Sequence, residues 1–147
     1  MEMTDSRYEM DAPSGLSTMD RVAHSVLVMD DEKIIRDLVA SMLEHLGYNV
    51  TTCVNGEEAI ERYCNAKESG NPYLTVIMDL TIFGGMGGKD AARQILHIDP
   101  NARLIVSSGY SDDPVMADHK RYGFHTLLPK PYKVSDMSKA LASLHSL

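Results

Sequence analysis

The chain is predicted to fold as a doubly wound α/β domain with a five-stranded parallel sheet. Two observations carry that prediction. Five short apolar runs alternate with stretches whose apolar residues recur at helical spacing. The segments between them are short, so consecutive strands must be joined by helical crossovers, which makes the sheet parallel with helices on both faces.

Each element follows in order. "SVLVMD" from Ser25 is a continuous apolar run ending in acid, the pattern of a strand buried on both faces. Ile34, Ile35, Leu38, Val39, Met42, Leu43 and Leu46 then mark one helical stripe, and Gly47 stands where a helix end favours positive φ. "NVTTCV" is the second strand; Asn55 and Gly56 turn the chain into a helix carrying Ala59, Ile60, Tyr63 and Cys64, and "SGNP" stops it. "LTVIMD" is the third strand, and Ala91, Ala92, Ile95, Leu96 and Ile98 form the third stripe. "RLIVSS" is the fourth strand. Asp113 and Pro114 read as N-cap and first residue of a fourth helix ending near Gly123. "HTLLP" is the fifth strand, followed by a helix over 135–144 with Met137, Leu141 and Leu144 inward.

Composition narrows the function. The 147 residues suit one domain, with residues 1–24 a polar, flexible lead-in and 25–147 the folded unit. No apolar run approaches the ~18 residues of a membrane span, and the N-terminus lacks the basic flank and apolar core of a signal peptide, so a cytoplasmic, non-membrane protein is expected. The net charge of −7 is spread without blocks, which argues against direct nucleic-acid binding. Cys53 and Cys64 form no CxxC and read as reduced, buried or half-buried thiols; the six histidines show no metal spacing.

In parallel sheets of this class ligands bind beyond the carboxyl ends of the strands. Strand one ends in Asp30 and Asp31, strand three in Asp79, strand four in Ser107, Ser108 and Gly109, strand five in Pro129, Lys130 and Pro131. Two carboxylates about 4 Å apart repel by about 4 kcal/mol at an effective dielectric near 20. Three acids with one ammonium therefore call for a divalent cation, and Mg²⁺ is the hard ion that carboxylates, water and phosphate share. Asp79 is then the nucleophile toward phosphorus. Asp30, Asp31, a second oxygen of Asp79 and the backbone carbonyl of Thr81 hold the metal. Lys130 neutralises the phosphoryl oxygens, and Ser108 hydrogen-bonds one of them. Ser107 is read as capping a turn, and Pro131 as fixing a rigid Lys–Pro turn that aims the ammonium. The glycines of "GGMGG" let the loop after Asp79, with the Thr81 carbonyl, wrap the ion. "GGMGGK" is not a phosphate-binding Walker loop, because the required Gly and Ser/Thr positions hold Phe83 and Asp90.

With "VLVMDDE" (26–32), "VIMDLTI" (76–82), "IVSSGYS" (105–111) and "LLPKPY" (127–132) in order, the sequence resembles the response-regulator receiver family of two-component signalling. The resemblance covers nearly all of the chain from Ser25 and implies the (βα)5 flavodoxin-like receiver fold. It implies that Asp79 takes phosphate from a phosphohistidine on a histidine kinase or phosphotransfer domain, separate or in the same polypeptide, with Mg²⁺. It further implies timed hydrolysis of the aspartyl phosphate. A monomer or weak dimer is expected. "DLTIFGGMGG", "SSGYS" and "LPKPY" look most like receivers attached to hybrid sensor histidine kinases. Two positions depart from the family: Phe83 replaces a usual Pro, and Leu127 stands where an aromatic commonly swings inward. Tyr110 is expected to be exposed on the Ser108 loop.

Two rivals stand beside this reading. One is an aspartate-nucleophile phosphohydrolase, which places a second acid two residues after the nucleophile; here that residue is Thr81. The other is a degenerate receiver that only binds protein, against which the acids and Lys130 weigh. The chain stops after the fifth helix, so it reads as a stand-alone regulator or as the receiver piece of a hybrid kinase. Output is expected through the fourth helix, fifth strand and fifth helix (113–144).

Overall fold

The computed structural model describes residues 24–110 and 112–145; apart from His24, the predicted lead-in lies outside them. The elements are β1 (Ser25–Met29), α1 (Lys33–His45), β2 (Asn49–Cys53), α2 (Gly56–Glu68), β3 (Thr75–Asp79) and α3 (Gly88–Ile98). They continue with β4 (Leu104–Ser108), α4 (Pro114–Ala117), a 3-10 helix (His119–Tyr122), β5 (Thr126–Pro129) and α5 (Val134–Leu144). All strands pair in parallel, in the order β2-β1-β3-β4-β5. The chain moves outward from β1 in one direction to β2 and in the other to β3, so the switch point lies between β1 and β3.

Alternation along the strands divides the core. Val26 and Val28 of β1, with Ile77 and Ile105, pack under α1 and α5 against Val39, Leu43, Met137 and Leu141. Leu27 and Met29, with Val76, Met78 and Val106, face the other way, against Ala59 and Tyr63 of α2, Ala91 and Ile95 of α3, and Phe124. Period-two strands covered on both sides are the reason β1, β3 and β4 read as unbroken apolar runs.

Three expectations need correction. The α1 stripe is narrower than the sequence suggested: Val39 and Leu43 are buried, but Ile34 is 80% exposed and Leu38 49%. At about 100° per residue these two fall beside the buried line, not on it. Ile98, at the end of α3, is likewise exposed. The fourth helix is not one helix to Gly123. Asp113 accepts the Val115 N–H and Pro114 occupies the first position as predicted, yet the α-helix lasts four residues, and Asp118 (φ −141°) turns the chain into the 3-10 segment. Val115 and Met116 are buried, but the positions one turn on are His119 and Lys120, so no apolar stripe rewards a longer helix. Gly123 does end the segment, at φ +95°.

Candidate functional site

Strand register assembles the predicted site. Met29 is paired with Met78, Asp79 with Ser107, and Ser108 with Pro129, so the residues closing four strands share one edge. Carboxylate oxygens of Asp30, Asp31 and Asp79 lie within 4.8 Å of one another, the one such acid or His/Cys cluster among the described residues. Lys130 Nζ reaches in from the β5–α5 turn, 2.9 Å from Asp30 Oδ2 and 3.4 Å from Asp79 Oδ2. The Lys130–Pro131 bond is cis.

Each carboxylate is held differently. Asp30 is buried; its Oδ1 accepts the Glu32 N–H at the start of α1 (2.9 Å) while Oδ2 accepts from Lys130. Asp79 accepts the Thr81 N–H at 3.3 Å on Oδ1 and Lys130 on Oδ2. Asp31 is the most open of the three, and no side-chain hydrogen bond or ion pair reaches it among the described residues. None of the hydrogen bonds among these residues uses the Thr81 carbonyl.

Burial raises the Asp79 pKa from the ordinary 3.8 to about 6; Lys130 and the Thr81 N–H oppose the rise, and Asp30 adds to it. Burial also acts to lower the Lys130 pKa, but its hydrogen bond to Asp30 and the charge of Asp79 outweigh that, so the ammonium is held above its usual range. The three acids are not splayed apart. Their repulsion is left standing, only partly relieved by one lysine.

That donor set suits Mg²⁺. Oxygen pairs around an octahedral Mg²⁺ are about 3 Å apart in cis and about 4 Å in trans, separations that a cluster spanning no more than 4.8 Å can supply. All donors are hard oxygens, one carboxylate is free of protein partners, and three negative charges face one positive. A divalent cation would bring the pocket near neutrality.

The capping part expected of Ser107 falls to Ser108. Ser108 caps the turn, accepting the Tyr110 N–H at 3.0 Å; its hydroxyl proton remains available, and its carbonyl accepts the Lys130 N–H at 2.8 Å. Ser107 caps nothing: its Oγ is buried, makes no hydrogen bond of full geometry, and has the Tyr132 hydroxyl as its polar neighbour. Tyr110 is 60% exposed, as expected, and Leu127 is half-buried on the α3 side. Gly109 has open space where a Cβ would sit, so contacts do not require a glycine there.

The glycine-rich loop works through close approach. A Cβ on Gly87 would lie 2.5 Å from the Leu80 carbonyl oxygen, and one on Gly88 2.8 Å from that of Asp79. These glycines seat the start of α3 against the end of β3. In this loop positive φ is confined to Gly84 (φ +77°), next to Phe83, which is 80% exposed at the tip. Met86 anchors the loop to α2: its carbonyl accepts the Gly56 N–H at 2.7 Å and its N–H donates to Glu57 Oε1 at 3.1 Å.

Sequence reasoning missed several of these partners. Arg36 Nη1 donates to the Asp30 carbonyl at 2.9 Å and brings a second cation behind the acids; nothing local in the sequence marks it. Asn55 and Glu58 form reciprocal caps, with Glu58 N–H on Asn55 Oδ1 and Val54 N–H on Glu58 Oε1. Their N-x-x-E spacing was a readable signal.

Comparison with known proteins agrees with the fold. Residues 26–142 match the response regulator receiver domain family. Chemotaxis protein CheY of Thermotoga maritima is 32% identical over 117 residues, 79% of this chain and 92% of that protein. Among solved structures, a chain of the CheX–CheY–BeF3–Mg²⁺ complex of Borrelia burgdorferi superposes with a TM-score of 0.74 at 26% identity, covering 82% of this chain and 88% of that one. Response regulator TrrA of Thermotoga maritima in complex with Mg²⁺–BeF gives 0.69 at 28% identity, covering 82% and 97%. The chain belongs to the response regulator receiver domain family of two-component signalling. Among the described residues no helix is long and apolar enough to cross a membrane.

Proposed function

We propose that Asp79 is the phosphoacceptor of a two-component phosphorelay acting in the cytoplasm, taking its phosphoryl group from the phosphohistidine of a kinase or phosphotransfer protein. In the step, an Asp79 carboxylate oxygen bonds to phosphorus as the phosphorus–nitrogen bond breaks, and the leaving imidazole recovers its electron pair and takes up a proton. Asp30, Asp31, Asp79 and the Thr81 carbonyl would hold Mg²⁺, which when bound supplies charge neutralisation for the phosphoryl oxygens. Lys130, already within 3.4 Å of Asp79, stays charged and stabilises the same oxygens. Ser108 donates its free proton to the attached phosphoryl group. Because it also caps the Tyr110 turn, that bond pulls on the loop entering α4.

The observation that carries this reading is the convergence of three carboxylates and one ammonium at the switch point. Turnover of external phosphate esters is not expected: Thr81 spends its N–H on Asp79 and offers no acid for a leaving group. Output is proposed through α4, β5 and α5, where a groove of about 430 Å³ runs beside edge strand β5 between Leu127 and Lys139. The test is labelling by acetyl phosphate or phosphoramidate. One phosphoryl group per chain, dependent on Mg²⁺ and lost in Asp79→Ala, supports the assignment. Absence of labelling refutes it, and sustained phosphatase turnover would favour the hydrolase.

A further inference from the structure

We propose that the cleft between α3 and the 3-10 helix binds an acidic peptide segment of a partner protein, one carrying an apolar anchor among its acids. The cleft encloses about 440 Å³ on the face of the sheet opposite α1 and α5. Lys89 and Arg93 stand one turn apart on its α3 wall, and Arg121 stands on the 3-10 wall; Asp90 is the one acid lining it. Three cations against one acid give this cleft a local charge of +2, in a chain whose net charge is −7. Such a contrast steers and orients an acidic partner.

The cations are available. Arg93 pairs with Asp90 at 3.4 Å, but both side chains are well exposed, and such a pair is worth little against a better-placed carboxylate. Lys89 lies with its ammonium 5.3 Å from the centre of the Tyr122 ring, which bridges the two walls while leaving the charge toward solvent. Asp112, Asp113 and Asp118 precede the 3-10 wall in sequence and do not line the cleft.

The floor decides between a peptide and a small anion. It is made of Leu96 and Tyr122, both half-buried, and of Gly123. A Cβ at Gly123 would collide with the Leu96 side chain, and φ is +95° there, so the position stays bare and the floor open. An inorganic or small phosphate would engage the cations and leave this apolar floor wet. A Leu or Phe between acidic residues covers the floor while its neighbours meet Lys89, Arg93 and Arg121.

Because the cleft shares no residue with the Asp79 pocket, its test needs no phosphodonor. A fluorescein-labelled octapeptide with six Asp/Glu residues around a central Leu-Phe pair is titrated with the full chain and followed by anisotropy. Saturable binding is expected that weakens with salt and falls about tenfold in the Arg93→Glu/Arg121→Glu variant, both side chains being exposed. The Arg62→Glu variant, altered at an exposed position on α2 that lines neither this cleft nor the groove beside β5, should bind as the parent does. Three results would overturn the assignment: no binding at millimolar protein, equal binding of the Asn/Gln counterpart, or an equal loss in Arg62→Glu. Tighter binding of tripolyphosphate, in competition with the peptide, would instead make the cleft a small-anion site and also reject the proposal.

Discussion

Replacing Asp79 by Asn should make the metal-free protein more stable at neutral pH. Burial favours the neutral form of this carboxyl, so its folded pKa is about 6 against an unfolded 3.8. The folded state therefore binds the proton more tightly, and stability linked to this group is fully present below pH 3.8 and is lost as pH rises through 6. At about 1.4 kcal/mol per pH unit, the charged form costs about 3 kcal/mol above pH 7. Asn keeps the shape without the charge, and its one carbonyl oxygen can still accept from one of the two donors, Lys130 or the Thr81 N–H. Urea unfolding in EDTA should show Asp79→Asn more stable by about 3 kcal/mol at pH 7.5, a midpoint shift of about 1.5–2 M at an m-value of about 1.5–2 kcal/mol/M. The gain should shrink to about 0.5 kcal/mol at pH 4. Adding Mg²⁺ should narrow the gap at pH 7.5, because the ion relieves the cost in the parent. A variant no more stable than the parent at pH 7.5, or equally favoured at both pH values, would show that the pocket is not charge-frustrated.

Three further outcomes follow from the same geometry. Gly87→Ala should cost about 1–3 kcal/mol in thermal or urea unfolding, because its Cβ meets the Leu80 carbonyl, while Gly109→Ala should be near neutral. Asn55→Ala should cost about 1 kcal/mol by removing the cap on Glu58 N–H, visible as a lowered unfolding midpoint. Lys130→Met should slow labelling by acetyl phosphate at least tenfold and yet tighten Mg²⁺, measured by calorimetry, since the acids lose their competing cation.

Much of this was legible along the chain because it depends on local pattern. Continuous apolar runs gave the buried strands; acids at their carboxyl ends could lie nowhere but one edge once the strands were parallel. Thus Asp30, Asp31, Asp79 and Lys130 fall at one edge on sequence grounds, since alternation and crossover handedness leave little freedom. Asp113 and Pro114 marked the start of α4 correctly, and its early end was also written locally, in His119 and Lys120 one turn beyond Val115 and Met116.

Tertiary structure alone decided the rest. Which serine caps the turn depended on which face of β4 each side chain points to, and Ser107 turns toward Tyr132 while Ser108 meets the Tyr110 N–H. Arg36 reaches Asp30 through the fold of α1 over β1, and Met86 reaches Gly56 across the α2 crossover and β3. Exposure of Ile34 and Leu38, the bare floor at Gly123, and the pKa of Asp79 are likewise sums over neighbours distant in sequence. The sequence by itself determined what each strand end carries, because period and charge are written locally; how those groups press on one another was decided by packing, because burial and distance exist only between segments.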